Sequence, residues 1–388
     1  MSSTSSIVMR PLLAFLMVLI LLAAGPWPAS AKGTDWTIVD KIDSGSTLRF
    51  LDVAWNPCSK EALIVGQSGE MRRYTPTSID KVQTNTTVQL SAVSWKPDCS
   101  EALVVGASGT VLLYKDGKIS NLDTGITNLL QDVAWTNDGK AVMVAGSVGV
   151  LWWDGTTFTM QAIPDTGIDL FGIAWNPTAN WGVVVGQKLS VYRFTSASIK
   201  KVDPPAAASP YASLYKASWH PDGSMVTIVG RNGTVLDYDG TTFPYVTSGG
   251  AGTVVTFLGV DWGSYKDYAL LVGDTGTVLC YRKENDYPCI PSSQQWGLIN
   301  GVDWSADGKE ALIVGNNGVL LKYPGTVSVN TPAGINPMAV AFLVIILVLL
   351  TIGMVYLYTV DREARQKKKA KFEKRRSHRH GRRSKHNR

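Results

Sequence analysis

The sequence predicts an all-β fold, a seven-bladed β-propeller, and two observations carry that reading. The first is a repeat. "LDVAWNPCSKEALIVGQSG", "SAVSWKPDCSEALVVGASG" and "NGVDWSADGKEALIVGNNG" are three of seven related stretches, and their tryptophans recur at spacings of 40, 40, 40, 44, 43 and 42. These are Trp55, Trp95, Trp135, Trp175, Trp219, Trp262 and Trp304. A period of about 40–45 residues built of several short strands is that of a propeller blade. The second observation is the absence of a helical period between the turns. Within each repeat, short runs rich in β-branched and aromatic residues alternate with Gly-, Asn- and Asp-containing turns, which is hairpin chemistry.

Along the chain, the N-terminus comes first. Arg10 precedes the apolar run "PLLAFLMVLILLAA", and small residues follow at Ala29-Ser30-Ala31. That order reads as a secretory signal peptide over residues 1–31. The propeller is expected over 32–325. Each repeat supplies a short apolar run ending in Trp, a second run such as "EALIVG", a third such as "TVLLY", and a less regular fourth. The last repeat supplies only three before Gly325. The missing strand is available in "DWTIVD", residues 35–40, which is expected to pair with the outer edge of the last blade. That pairing closes the ring and removes an exposed edge.

A linker, 326–337, follows. The 13 residues from Gly325 to Pro337 reach at most about 45 Å, so the propeller is expected close to a membrane surface. Residues 338–360 hold 23 positions without a charge. As a helix they span about 34 Å, enough to cross a bilayer core of about 30 Å. The tail, 361–388, carries 14 Lys and Arg against 3 acidic residues, whereas 32–337 carries 22 against 28. Positive charge beside a span stays in the cytoplasm. The expected arrangement is therefore a single-pass protein of the cell membrane, with the propeller outside or luminal and the tail cytoplasmic.

The repeats resemble WD-repeat propellers, and the pattern of "VAWNPDGKEALIVG" type followed by "NNG" and "VLLY" is also similar to the propellers of photosystem assembly factors. The resemblance covers 35–325 and concerns architecture. It departs from WD repeats in lacking the Gly-His dipeptide. The Trp-Asp ending stands only at Trp153-Asp154; Tyr74, Tyr114, Phe194, Tyr238, Tyr281 and Tyr323 hold that place elsewhere. The resemblance implies an innermost strand ending at each repeat Trp. The residue before that Trp is small in five repeats (Ala54, Ser94, Ala134, Ala174, Ser218) and acidic in two, Asp261 and Asp303. Asp52 and Asp132 lie two positions earlier on the same strand face. Two readings of these four acids stand side by side: hydrogen-bond acceptors within the ring, or an acidic channel rim that meets a cation or a basic ligand.

Cys58, Cys99, Cys280 and Cys289 fall in the exported region, an even number in an oxidising setting. Cys280 and Cys289 flank a turn and suit a hairpin cross-link. Cys58 and Cys99 occupy equivalent turns of neighbouring blades and need those turns within about 7 Å. Four unpaired thiols are the alternative. Asn85 and Asn232 begin glycosylation sequons. The irregular connections at 202–213 and 247–254 are tolerated insertions or partner contacts.

No catalytic constellation stands out. His220 is the one histidine of the exported region and sits at a turn position held by Asn56, Lys96 and Thr136 in other repeats. The turn glycines precede no helix and so form no phosphate cradle. No cofactor or metal site is expected. A glycosidase carboxylate pair has no distinguishing mark among the many acids. The expected function is a non-catalytic scaffold with a protein partner on the exported side. A surface glycan-binding or hydrolytic propeller is one alternative.

The tail is too charged for a core and is expected to be disordered. Its Lys367, Lys368, Lys369, Lys371, Lys374, Arg375, Arg376, Arg379, Arg382 and Arg383 suit a polyanion. Anionic lipid headgroups, each worth about 1 kcal/mol per basic residue, ribosomal RNA and an acidic protein are the candidates. Ribosome docking would make the protein an accessory factor of export or membrane insertion.

Overall fold

The computed structural model describes residues 40–205, 212–247, 255–264, 268–282, 286–289 and 296–324. Beyond these it describes positions 353, 357, 358, 360, 362–369 and 371. Seven four-stranded antiparallel sheets form the ring of a seven-bladed propeller. The innermost strands are Phe50–Trp55, Leu90–Trp95, Val133–Trp135, Leu170–Trp175, Leu214–Trp219, Phe257–Trp262 and Ile299–Trp304. Each ends on the repeat tryptophan, because a Pro, Asp or Gly turn follows directly.

The second strands, such as Ala62–Gly66 and Ala269–Gly273, are buried along their whole length. They are covered on both faces, which explains why they read as continuous apolar runs rather than alternating ones. The core is correspondingly divided. Seven apolar clusters each join the facing sheets of two neighbouring blades. One joins Leu63 and Met71 of blade 1 to Val104 and Tyr114 of blade 2. Another joins Ile64 and Tyr74 of blade 1 to Leu312 and Leu320 of blade 7, so the ring is closed by packing as well as by strand pairing.

Closure uses the N-terminal strand. Asp40–Ile42 pairs antiparallel with Leu320–Pro324, placing Asp40 opposite Lys322 and Ile42 opposite Leu320. The described closing strand meets the expected stretch 35–40 at Asp40 and runs to Ile42; 35–39 lie outside the described residues. The connection after it repeats an internal device. Ser44 Oγ donates to the Gly318 carbonyl at 2.7 Å and Gly318 N donates to the Leu48 carbonyl at 2.7 Å. In blade 1, Thr84 Oγ1 and the Val88 carbonyl do the same for Gly69, at 2.8 and 2.7 Å. Gly318 has φ +67°, and a Cβ there would collide with the Ser46 carbonyl. The "NNG" and "QSG" glycines are therefore required by a close approach from the next connection as well as by the turn itself.

The aromatics that stand in place of a Trp-Asp ending have a packing role. Tyr74, Tyr114, Trp153, Phe194, Tyr281 and Tyr323 each meet their own blade's repeat Trp edge to face, at centroid distances of 5.5–6.3 Å. In blade 5, Trp181 of the neighbouring blade lies against both Trp219 and Tyr238.

Among the described residues no helix is long and apolar enough to cross a membrane. The signal segment 1–31, the linker and most of 338–360 lie outside them. Within the tail, residues 362–369 are helical where disorder was expected, and the rest apart from position 371 lies outside the described residues. "REARQKKK" consists entirely of strong helix formers, and local propensity outweighs like-charge repulsion over two turns.

Candidate functional site

The propeller axis gathers the polar groups of the innermost strands. Residues three before each repeat Trp form one tier: Asp52, Ala92, Asp132, Gly172, Lys216, Gly259 and Gly301. Residues one before the Trp form a second: Ala54, Ser94, Ala134, Ala174, Ser218, Asp261 and Asp303.

In the first tier, Asp52 and Asp132 are buried. Asp52 Oδ2 accepts the Val93 N–H of the next blade at 3.1 Å, and Asp132 Oδ2 accepts the Ile173 N–H at 3.0 Å. Lys216 reaches in from blade 5. Its Nζ donates to Asp132 Oδ1 at 2.8 Å and stands 3.7 Å from Asp52 Oδ2, with 26% of its side chain exposed to the channel. Burial pushes the Asp52 carboxyl up to about 6, against the pull of Lys216. Burial works against the Lys216 charge too, but Asp132 and Asp52 outweigh it and hold the ammonium above its ordinary range.

In the second tier, Asp261 Oδ2 accepts the Trp304 N–H at 3.0 Å, and Asp303 Oδ2 accepts the Trp55 N–H at 2.6 Å. Ser218 donates to Asp261 Oδ1 at 3.0 Å and accepts the Trp262 N–H at 3.3 Å. The two carboxyls also hydrogen-bond each other. Burial raises both, and the Asp261 charge raises Asp303 further.

These bonds brace five junctions of the ring. Indole N–H groups brace the other two: Trp135 Nε1 donates to the Ser94 carbonyl at 3.0 Å and Trp219 Nε1 to the Ala174 carbonyl at 3.3 Å. Lys216 is the axial residue that the sequence reading passed over. Its signal was present: "YKASW" places Lys where "LDVAW" and "QDVAW" place Asp.

The channel is divided by this charged tier. A 400 Å³ chamber contains Asp261, Asp303 and Ser218 and runs toward Pro57 and Pro97. A 280 Å³ mouth opens on the other side, over Asp52, Asp132 and Lys216. A larger polar groove of about 970 Å³ lies between blades 1 and 2. There Glu61 holds Arg73 Nη2 at 2.9 Å and the Tyr114 hydroxyl at 3.1 Å; burial, then Glu61, pushes that phenol up to about 12.

Cys58 and Cys99 form a disulfide with Cα atoms 5.9 Å apart, joining equivalent turns of blades 1 and 2 beside this groove. Side-chain amides do comparable work further round: Asn137 Nδ2 donates to the Asn176 carbonyl, and Asn176 Nδ2 to that of Gly223. Cys280 is disulfide-bonded, and strand register places it opposite Cys289.

Asn85 and Asn232 are exposed in left-handed turn conformations. His220 lies in its turn with Nδ1 2.7 Å from Asp222 Oδ1. Insertion residues 206–211 and 248–254 lie outside the described set. Lys367, Lys368, Lys369 and Lys371 are exposed helical positions, while Lys374, Arg375, Arg376, Arg379, Arg382 and Arg383 lie outside it. Among the described residues no cluster of three or more His, Cys, Asp or Glu could hold a metal ion. No protein-family model matches the sequence, and no characterised protein matches it either.

Proposed function

We propose that the chain is a single-span membrane protein whose exported propeller is a non-catalytic interaction scaffold, with the polybasic tail contacting anionic lipid or RNA. One observation carries this reading most. The axial carboxyls are bonded to the ring's own backbone and to Lys216, which makes the ring a braced platform for rim contacts. The polar groove between blades 1 and 2, with charges of both signs, suits a protein partner better than an apolar small molecule.

The test is a pull-down from gently solubilised native membranes, comparing the full chain with one truncated after Arg365. The reading expects the same exported proteins with both versions. Failure of any exported protein to co-purify with either version overturns it. Recovery of ribosomal RNA and translocon subunits with the full chain alone assigns the tail to ribosome docking and the propeller to protein export.

A further inference from the structure

The mouth of the channel has two unlike sides. Six innermost strands carry a register shift four residues before the repeat Trp, as at Phe50/Asp52 and Leu214/Lys216. A bulge re-aims the extra side chain. Here it turns Leu51, Phe171, Tyr215, Leu258 and Asn300 to the mouth rather than into the interblade core. Blades 4, 5 and 6 thereby present an apolar arc. Phe171 and Tyr215 stand 5.3 Å apart, tilted by 37°, beside Leu258. Facing it are Gln131, Gln89 and Arg49.

Arg49 is the telling residue. Its Nη2 donates to Asn300 Oδ1 at 2.9 Å, its Nε is buried without a hydrogen-bond partner, and no described carboxylate pairs with it. The buried Nε and the bond to Asn300 fix the guanidinium in place, and a fixed cation facing the mouth can bond an anion through the N–H groups of its outer Nη edge.

We infer that this mouth binds a small carboxylate with a flat or branched apolar body, with the carboxylate on Arg49 and the body against Phe171 and Tyr215. The 280 Å³ volume is just below the drug-sized range of about 300–1,000 Å³ and suits a ligand the size of one amino acid. Free aromatic acids and the C-terminal residue of a polypeptide share this chemistry. The mouth is made by the propeller alone, so the site stands whether or not the chain spans a membrane.

The test titrates full-length protein in detergent micelles with N-acetyl-phenylalanine and with its C-terminal amide, read by calorimetry and by ligand-observed NMR. The acid is expected to bind saturably and the amide about tenfold or more weakly, the worth of one charge-assisted pair. Arg49→Gln is expected to erase that preference, and Phe171→Ala to weaken both ligands. A hexapeptide ending in free Phe that binds at least tenfold tighter than the single residue assigns the site to chain termini. Equal affinity assigns it to small acids. No saturable binding of any of the three up to about 10 mM overturns the inference, as does equal binding of acid and amide by the unaltered protein. That comparison needs no variant to fold.

Discussion

The two tiers on the propeller axis face the same difficulty and resolve it in opposite ways. Each places two carboxyls at a site of low solvation, where an unpaired charge is expensive. Around Asp52 and Asp132 the compensation is a cation, Lys216, delivered across the channel from blade 5. Around Asp261 and Asp303 there is no cation, and burial, with the Asp261 charge acting on Asp303, pushes both carboxyls toward the neutral form. The tiers differ by what the opposite blades offer at the same height. In the first, glycines at Gly172, Gly259 and Gly301 allow close interblade approach; a Cβ on Gly301 would lie 3.3 Å from Asp52 Oδ1. In the second, alanines and serines supply no charge, so the carboxyls meet each other. One tier has a cation against its carboxyls and the other has none, and mild acid reaches a group in each: Asp52 in the first, Asp261 and Asp303 in the second.

The largest effect is expected at Lys216. Lys216→Met leaves Asp132 with one bond donor fewer and no counter-charge. Breaking one side of such a pair costs about 3 kcal/mol or more, a fall of roughly 6–10 °C in Tm. Adding Asp52→Asn and Asp132→Asn to the same chain removes the uncompensated charge and is expected to recover most of the loss. A single-variant loss below about 1 kcal/mol in thermal melts would show that the cation is not what separates the tiers.

Second in size is the pH dependence. Asp52, Asp261 and Asp303 have folded pKa values raised above the unfolded value of about 3.9, so the folded ring binds more protons than the unfolded chain above about pH 4, with the Asp52 part of that window ending at about pH 6. Their stabilising contribution is complete below about pH 4 and is lost as pH rises through the folded values. The slope is at most about 1.4 kcal/mol per pH unit per group. Asp222 and Asp239, both lowered to about 2, oppose this only in stronger acid. Tm is therefore expected to rise from pH 7 to pH 5 at constant ionic strength. A Tm that falls steadily over that interval contradicts these raised values.

The blades, the closing strand and the two classes of axial acid were legible because a repeat makes its own alignment. Seven tryptophans fixed the register, and every acid then had a height on the axis. Lys216 shared that register, but its pairing depends on which blades face one another across the channel. Phe171, Tyr215 and Leu51 were hidden for a different reason. Strict alternation sends the fourth residue before the Trp into the interblade layer, and only the bulge turns it to the mouth. Arg49 lies in the connection just before the innermost strand Phe50–Trp55 and carries no periodic signal. The tail helix was missed because net charge describes a chain's average preference, whereas "REARQKKK" has local helix propensity.

The smallest effect sharpens the comparison most. Asp303→Asn replaces the carboxyl that burial and the Asp261 charge push toward its neutral form with a neutral group of the same shape. Its amide can still accept the Trp55 N–H and donate to Asp261, so the brace between blades 7 and 1 survives. The expected cost at pH 7 is within about 1 kcal/mol, of either sign, since the variant no longer needs a proton. Asp132→Asn at the matching depth gives up the charge that holds Lys216 and is expected to cost distinctly more. Asp303→Asn should also flatten the rise in Tm between pH 7 and pH 5, whereas Asp132→Asn leaves the Asp261–Asp303 contribution in place. Equal costs and equal pH profiles for the two variants would mean that the two tiers do not differ in how their carboxyls are compensated.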